Sequence, residues 1–365
     1  MKLSPEKAKF VRAATASLPE TAAATVQIVD PLAVANWDAL VMALPGHSFF
    51  HSTAWARTLE ESYGYKPMYF AKVENGALRG LLSVMEVDSW LTGKRGVSLP
   101  FSDECEGLGD SAELFETAVK VADERAWKYF EVRGPVGGAR GTTRPTSEMF
   151  FGHTLELSKN EEKIFASFDP AVRRAIRKAE KAGVKVEISR SLEGVKEFYE
   201  LHCLTRKKHG VPPQPFSFFA NFHRNVIAHN LGFVAIARLE GRAIAANVFV
   251  HFGAKAIYKY GASDENFQNS RPANLAMWYG VQWYARAGFD RLDFGRTEKA
   301  NEGLRRFKLG WGVVERSIEY FKYDPGAQRF VSGKGESSLM RERILKRIPI
   351  PIARIIGSVL YRHVA

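Results

Sequence analysis

Apolar and polar residues along the chain alternate in short segments, and these segments recur in one order twice. Thr25–Asp30 (TVQIVD) and Val184–Ser189 (VKVEIS) both alternate with period two, the signal of a half-buried strand. Helical spacing follows. Leu192, Val195, Phe198, Tyr199 and Leu201 recur along Ser191–His209, with Gly210 placed as a C-cap, and Trp37–Tyr63 fills the same place earlier in the chain. Each half then predicts a β-hairpin. In the first, KPMYFAKV and LRGLLSVMEV flank Asn75-Gly76; in the second, GFVAIARL and AIAANVFVHF flank Glu240-Gly241. A third strand leads in both halves to the tripeptide Ser-Asp-Glu, at residues 102–104 and 263–265, 161 residues apart. Helices over Ser111–Trp127 and Pro272–Ala287 come next, then the strands KYFEVRG and DRLDFGR, then the late strands HTLEL from His153 and RSIEY from Arg316. A tripeptide match alone is chance, but one in register with the surrounding elements marks an internal repeat.

Strand, helices, hairpin, strand, loop, helix, strand is the order of the GNAT acetyltransferase fold. The expected fold class is therefore α/β (α+β), with two tandem GNAT (acyl-CoA N-acyltransferase-like) domains built on mixed central sheets. Three stretches of the second half resemble the FemAB-type transferases: FDPAVRRAIRKAEKAGVKVE from Phe168, YKYGASDENFQNSRPANLAMWYG from Tyr258 and DFGRTEKANEGLRRFKLGWG from Asp293. LPFSDECEG from Leu99 is similar to that family's acceptor-side loop, and the resemblance spans roughly residues 25 to 325. Expected boundaries are a flexible leader at 1–24, a first GNAT-like domain at 25–158, a basic linking helix at 159–183, a second GNAT-like domain at 184–325 and a basic amphipathic tail at 326–365.

Composition narrows the class without choosing a substrate. The 365 residues are 45% hydrophobic and 25% charged, as in globular proteins, and the formal net charge of +12 favours an anionic partner. Cys105 and Cys203 stand in unrelated contexts, with no spacing that suits a zinc site, so two free thiols and a cytoplasmic protein are expected, with no metal. No apolar run is long enough for a signal peptide or a membrane span.

Candidate chemistry concentrates in the second half. The resemblance implies that Phe307 and Lys308, in LRRFKLGWG, lie at the donor carbonyl, where a fixed cation in a desolvated cleft stabilises the oxyanion of aminolysis. In the first half the corresponding stretch, PVGGARGTTRPTSE, has no such lysine. Asp103 is the candidate for holding the acceptor or taking its proton, although a turn-forming role is equally open for so acidic a loop. Before the helix at Pro272 the glycine-rich phosphate loop of ordinary acetyltransferases is replaced by NFQNSRP, as it commonly is in the FemAB type. Arg271 there, with Asn274, Tyr260 and Ser263, makes up the expected donor-binding set.

The helix Pro170–Ala182, capped by Asp169 and ended by Gly183, carries Arg173, Arg174, Arg177, Lys178 and Lys181 around a narrow stripe of Val172, Ile176 and Ala179. Arg173, Arg177 and Arg296 are the expected acceptor or phosphate contacts, set against the simpler reading of a solvated linking helix. His202, His209 and His223 lack partners for a triad or metal, and Cys203 reads as packing.

In the tail, Ile352, Ile355, Ile356, Val359 and Leu360 form one face of a helix, with Arg354, Ser358 and Arg362 opposite. A basic amphipathic helix of this kind can lie in the headgroup plane of the inner face of the cytoplasmic membrane or dock on the protein itself. Together these features predict an N-acyltransferase without a tightly bound cofactor. Its co-substrate is acyl-CoA or aminoacyl-tRNA, and its acceptor an amine of an anionic or lipid-linked cell-envelope precursor (peptidoglycan or exopolysaccharide). The competing readings are a non-catalytic GNAT-fold module for an anionic envelope glycan and a nucleic-acid binder.

Overall fold

A computed structural model describes residues 18, 23–135, 145–332 and 347–364. Most of the leader, residues 136–144 of the PVGGARGTTRPTSE stretch and residues 333–346 of the tail lie outside the described residues.

The first half runs β1 (Thr25–Val29), α1 (Trp37–Met42), α2 (Thr53–Tyr63), β2 (Lys66–Pro67), β3 (Tyr69–Glu74), β4 (Ala77–Leu82), β5 (Met85–Val87), β6 (Arg95–Ser98), β7 (Leu108–Gly109), α3 (Ala112–Glu124), β8 (Phe130–Arg133) and β9 (Glu148–Glu156). Two helices follow, α4 (Glu161–Ser167) and α5 (Pro170–Lys181). The second half is β10 (Lys185–Ser189), α6 (Leu192–Lys208), α7 (Phe216–Asn225), β11 (Gly232–Leu239), β12 (Arg242–Phe252), β13 (Lys255–Ser263), α8 (Pro272–Arg286), β14 (Arg291–Glu298), α9 (Glu302–Leu309), β15 (Val314–Asp324) and β16 (Arg329–Phe330). A last helix, α10 (Ile350–Leu360), closes the chain.

Both halves repeat one pairing scheme. β3 and β11 each pair with the hairpin strand that follows them, and β6 and β13 each lie parallel to β8 and β14 respectively. The first half's long hairpin strand is broken into β4 and β5, so β1, β3, β4 and β7 form a separate sheet. In the second half β12 stays continuous over 11 residues.

The late strands cross over. β9 pairs with β14 of the second half, β15 pairs with β8 of the first, and β9 and β15 pair with each other. One sheet therefore runs through the whole molecule in the order β10-β11-β12-β13-β14-β9-β15-β8-β6-β5-β2, across the expected boundary at residue 158. The repeat predicts which strands exist, but it carries no information on which half each last strand will join.

Two helices escape the period reading. α4 is capped by Asn160, whose side chain accepts from the Lys163 N–H. α7 places Phe218 and Phe222, one turn apart, against Trp55 of α2 at 6.2 and 6.5 Å between ring centroids. Asn221 donates to Ser62, and Arg224 pairs with Glu61, on the same contact. The halves are thus joined by an aromatic interface as well as by backbone pairing.

Candidate active site

The strand pairing brings the Ser-Asp-Glu loop of the first half onto the second half's β14 and α9. Asp293 begins the site: its carboxylate accepts from the Gly295 N–H at 2.6 Å and turns the backbone so that Gly295 takes φ +69°. A side chain is strained at that φ, and a Cβ there would stand 3.2 Å from the Asp103 carboxylate. The turned backbone aims the carbonyls of Gly295 and Arg296 at one point, and Lys308 Nζ donates to both at 2.9 Å. Lys308 and Asp103 thus flank Gly295.

Burial pushes the pKa of Lys308 down to about 8, and Arg296 adds to this, while Asp103 and Asp293 oppose it. An ammonium has three N–H donors. Two are taken here by carbonyls, which leaves one for a reacting group among the described residues.

Asp103 has a second cation. Lys259 Nζ donates to Phe101 O at 2.7 Å and to Asp103 Oδ2 at 3.3 Å, and sits over the rings of Phe50, Trp55 and Tyr260 at 4.8 to 5.6 Å. Burial works to raise the pKa of Asp103. Lys259, Arg296 and Lys308 outweigh it and hold the carboxyl below its ordinary value. On the outer side Arg316 clamps Glu104 through both guanidinium nitrogens and reaches Asp293 at 3.6 Å. Tyr320 donates to Asp103 O at 2.7 Å and accepts from Arg296 at 2.8 Å.

Of these groups Asp103, Glu104, Asp293 and Arg316 border a cleft of about 780 Å³, open to solvent, between the two halves. Glu106, Lys255 and Arg291 complete its charged lining. A larger groove of about 1470 Å³ lies beside α9, lined by Arg174, Lys178, Arg271, Asn274, Arg306 and Phe307. Phe307 faces this groove, and Lys308 lies next to it in the chain with its Nζ held inside. α9 therefore lines the basic groove with Arg306 and Phe307 and turns Lys308 inward, toward Gly295 and the cleft-lining Asp103 beyond it.

Several expected positions need correction. Tyr260 does not face the groove; its ring packs among Phe198, Phe219 and Phe222. The cause is a bulge: Val248 pairs with Tyr260 and Phe249 with Tyr258, so Lys259 is an extra residue. Lys259 and Tyr260 consequently lie on one side of the sheet, where strict alternation separates them. Ser263 exchanges hydrogen bonds with Thr205 and lines a different hollow, with Lys207 and Asp264. Asp264, from the second Ser-Asp-Glu, caps the turn at Asn266 and pairs with Arg242.

Arg173 and Arg177 also sit away from the groove. They lie by Glu161, Glu162 and Phe165 of α4, with Arg177 5.7 Å above the Phe165 ring. The groove takes Arg174 and Lys178 instead. Arg296 is at the site, stacked 4.3 Å over Phe150 and bonded to Tyr320. Lys259, Arg316 and Tyr320 were missed by sequence reasoning; the one signal was the acidic run Asp103-Glu104, which needs cations if it is to be buried.

The two faces of α5 give a direct test. Arg174→Ala with Lys178→Ala is expected to weaken binding of an anionic donor on the order of tenfold and to flatten its salt dependence by about two phosphate contacts, while Arg173→Ala with Arg177→Ala leaves both nearly unchanged. Titration of donor binding at several salt concentrations reads this out, and equal losses from both pairs would remove the groove's claim to the donor.

Among the described residues no group of His, Cys, Asp and Glu is placed to hold a metal ion, and no helix is long and apolar enough to cross a membrane.

Residues 166–313 match the acetyltransferase (GNAT) domain family. The chain is similar to a lipid II:glycine glycyltransferase of Staphylococcus haemolyticus, 29% identical over 78% of this chain and 90% of that protein. To the protein of the same name in Staphylococcus aureus it is 25% identical, over 46% of this chain and 57% of the other. Among solved structures, that of FemX matches with a TM-score of 0.61 at 17% identity, over 77% of this chain and 94% of that one. A tandem GNAT protein from the clavulanic acid biosynthesis pathway matches at 0.53 and 11%, over 83% and 99%; at these identities both speak for the fold alone. With the doubled GNAT topology and a GNAT domain match across its second half, this chain has a tandem GNAT fold and is similar to the FemAB-type transferases.

Proposed function

We propose that this protein transfers an aminoacyl group from aminoacyl-tRNA to an amine of a lipid-linked cell-envelope precursor. The observation that carries the reading is Lys308, buried and held by two carbonyls next to the groove-lining Phe307, with the cleft-lining Asp103 across Gly295 from it. The tRNA end enters the basic groove, where Arg174, Lys178, Arg271 and Arg306 meet its phosphates. The acceptor enters the cleft. Its amine nitrogen attacks the ester carbonyl, forming the C–N bond, and the remaining Lys308 N–H stabilises the oxyanion. Asp103 takes the proton the amine sheds, the C–O ester bond breaks, and Asp103 returns that proton to the leaving ribose oxygen.

The named activity of the staphylococcal relatives supports an aminoacyl donor and a lipid II-type acceptor. The test is transfer of a labelled amino acid from charged tRNA to a lipid-linked or nucleotide-linked muropeptide, with the new amide located by mass spectrometry. Transfer from acyl-CoA but not from tRNA would replace the donor. Stabilisation by muropeptide without turnover from any donor would replace catalysis by binding. The same reading places the protein at the inner face of the membrane.

A further inference from the structure

We propose that α10 and the β5–β6 loop form one surface that seats the protein on an anionic lipid bilayer. This deepens the reading of a lipid-linked acceptor and rests on it. The inner side of α10 is fixed: Ala353 and Gly357 are buried, and a Cβ at Gly357 would fall 1.9 Å from Pro213 O. Beyond the helix the chain is tied to both halves. Tyr361 O accepts from Tyr65 at 2.9 Å, and Tyr361 Oη accepts from Arg206 of α6 at 2.6 Å. His363 O accepts from Thr92 at 2.8 Å and from Arg95 at 2.7 Å, and its ring meets Ser89 Oγ at 3.0 Å.

So firm an attachment is expected to bury the helix's apolar residues, and it does the opposite. Ile352, Ile355 and Val359, at i, i+3 and i+7, stay 50%, 65% and 54% exposed. Val364, beyond the helix, is exposed as well, and Trp90 approaches from the first half, with its ring 5.4 Å from that of His363. Trp90 is 83% exposed and its neighbour Leu91 is 51% exposed. Tryptophan beside an amphipathic helix is the arrangement that favours a headgroup boundary.

Charge selects the occupant. Residues 347–365 carry Arg347, Arg354 and Arg362 and no acidic residue, and Arg347 and Arg362 are exposed. A second copy packed on this face would bring the same arginines together, whereas anionic lipid would pair with them.

The experiment is sedimentation with vesicles of phosphatidylcholine containing phosphatidylglycerol and no acceptor, comparing the intact protein with Trp90→Ala/Ile355→Ser/Val359→Ser. The wild type is expected to pellet with anionic vesicles and the variant to bind on the order of tenfold less or weaker still. Trp37, Trp55, Trp127, Trp278 and Trp311 are buried and Trp283 is half-buried, so a vesicle-dependent blue shift with loss of iodide quenching, taken as the difference between wild type and Trp90→Phe, reports Trp90. Equal pelleting of both proteins, or Trp90 still quenched by iodide on vesicles, overturns the proposal. So does a dimer lost in the variant while vesicles have no effect. The altered side chains are exposed and outside the cleft and groove, so transfer to a water-soluble acceptor is expected to survive. Failure of that transfer in the wild type would count against the transferase reading alone.

Discussion

Lys308→Met is expected to lower kcat by about 10²–10³-fold while KM for either substrate changes little. Removing one preorganised donor from an oxyanion site costs roughly that much, because water does not replace it at a desolvated position. Methionine matches the lysine stem, and the two carbonyls it releases, of Gly295 and Arg296, are the only partners Lys308 has among the described hydrogen bonds. A burst or single-turnover experiment isolates the chemical step. A drop in affinity with unchanged turnover would assign Lys308 to binding.

The same residue sets the alkaline limb of the pH profile. With a pKa near 8, Lys308 is a cation below that pH and neutral above it, so the rate is expected to fall as pH rises through about 8. Stability moves the other way for this group. Between the folded value and the ordinary lysine value the unfolded chain holds a proton the folded chain lacks, so folding gains as pH rises through that window. An alkaline loss of rate without loss of the folded state is therefore the expected signature.

Lys259→Met is the second large effect, expected first in stability. Lys259 is buried against three aromatic rings, and Asp103 is its ionic partner. Removing one member of such a pair leaves the other desolvated, at a cost of about 3–5 kcal/mol. Denaturant unfolding at pH 7 measures it, and the double variant Lys259→Met/Asp103→Asn should recover much of the loss without recovering activity.

Without Lys259, the first of the cations that offset burial at Asp103 is gone and its pKa rises. A depressed carboxyl stabilises the fold above its unfolded pKa and loses that contribution as pH falls through the folded pKa. The variant's acid limb, in stability and in rate, therefore shifts to higher pH. An unfolding free energy within about 0.5 kcal/mol of wild type would show that Asp103 has no need of this cation.

The parts of the molecule legible in sequence were those written in local periodicity. The doubled order of elements, the Phe-Lys pair on α9 and the Ser-Asp-Glu loop at the cleft all follow from spacing, turn residues and resemblance. What was not legible depends on contacts between distant segments. The stripe Val172, Ile176 and Ala179 correctly marks the buried side of α5, yet it leaves two charged flanks. α4, a separate short helix within the 159–183 stretch expected as one linking helix, takes Arg173 and Arg177 and leaves Arg174 and Lys178 to the groove. A one-residue bulge at Lys259 moved Tyr260 into the core and delivered a lysine to Asp103. Such a bulge has no signature in the period-two pattern it interrupts.

The crossed pairing of β9 and β15 bears on the descent of the molecule. Exchanging the halves converts the order β8-β15-β9-β14 into itself read backwards, so the junction has the symmetry of a two-fold dimer whose partners trade their last strands. A single-copy ancestor with that arrangement would carry two equal sites. Once the copies are fused, each diverges without altering the other, and one can keep a lysine at its carbonyl turn while the other supplies only the opposing carboxylate. Phe307-Lys308, which has no counterpart in the matching stretch of the first repeat and is met by Asp103 from that repeat, is what such a fusion permits and a symmetric pair of chains forbids.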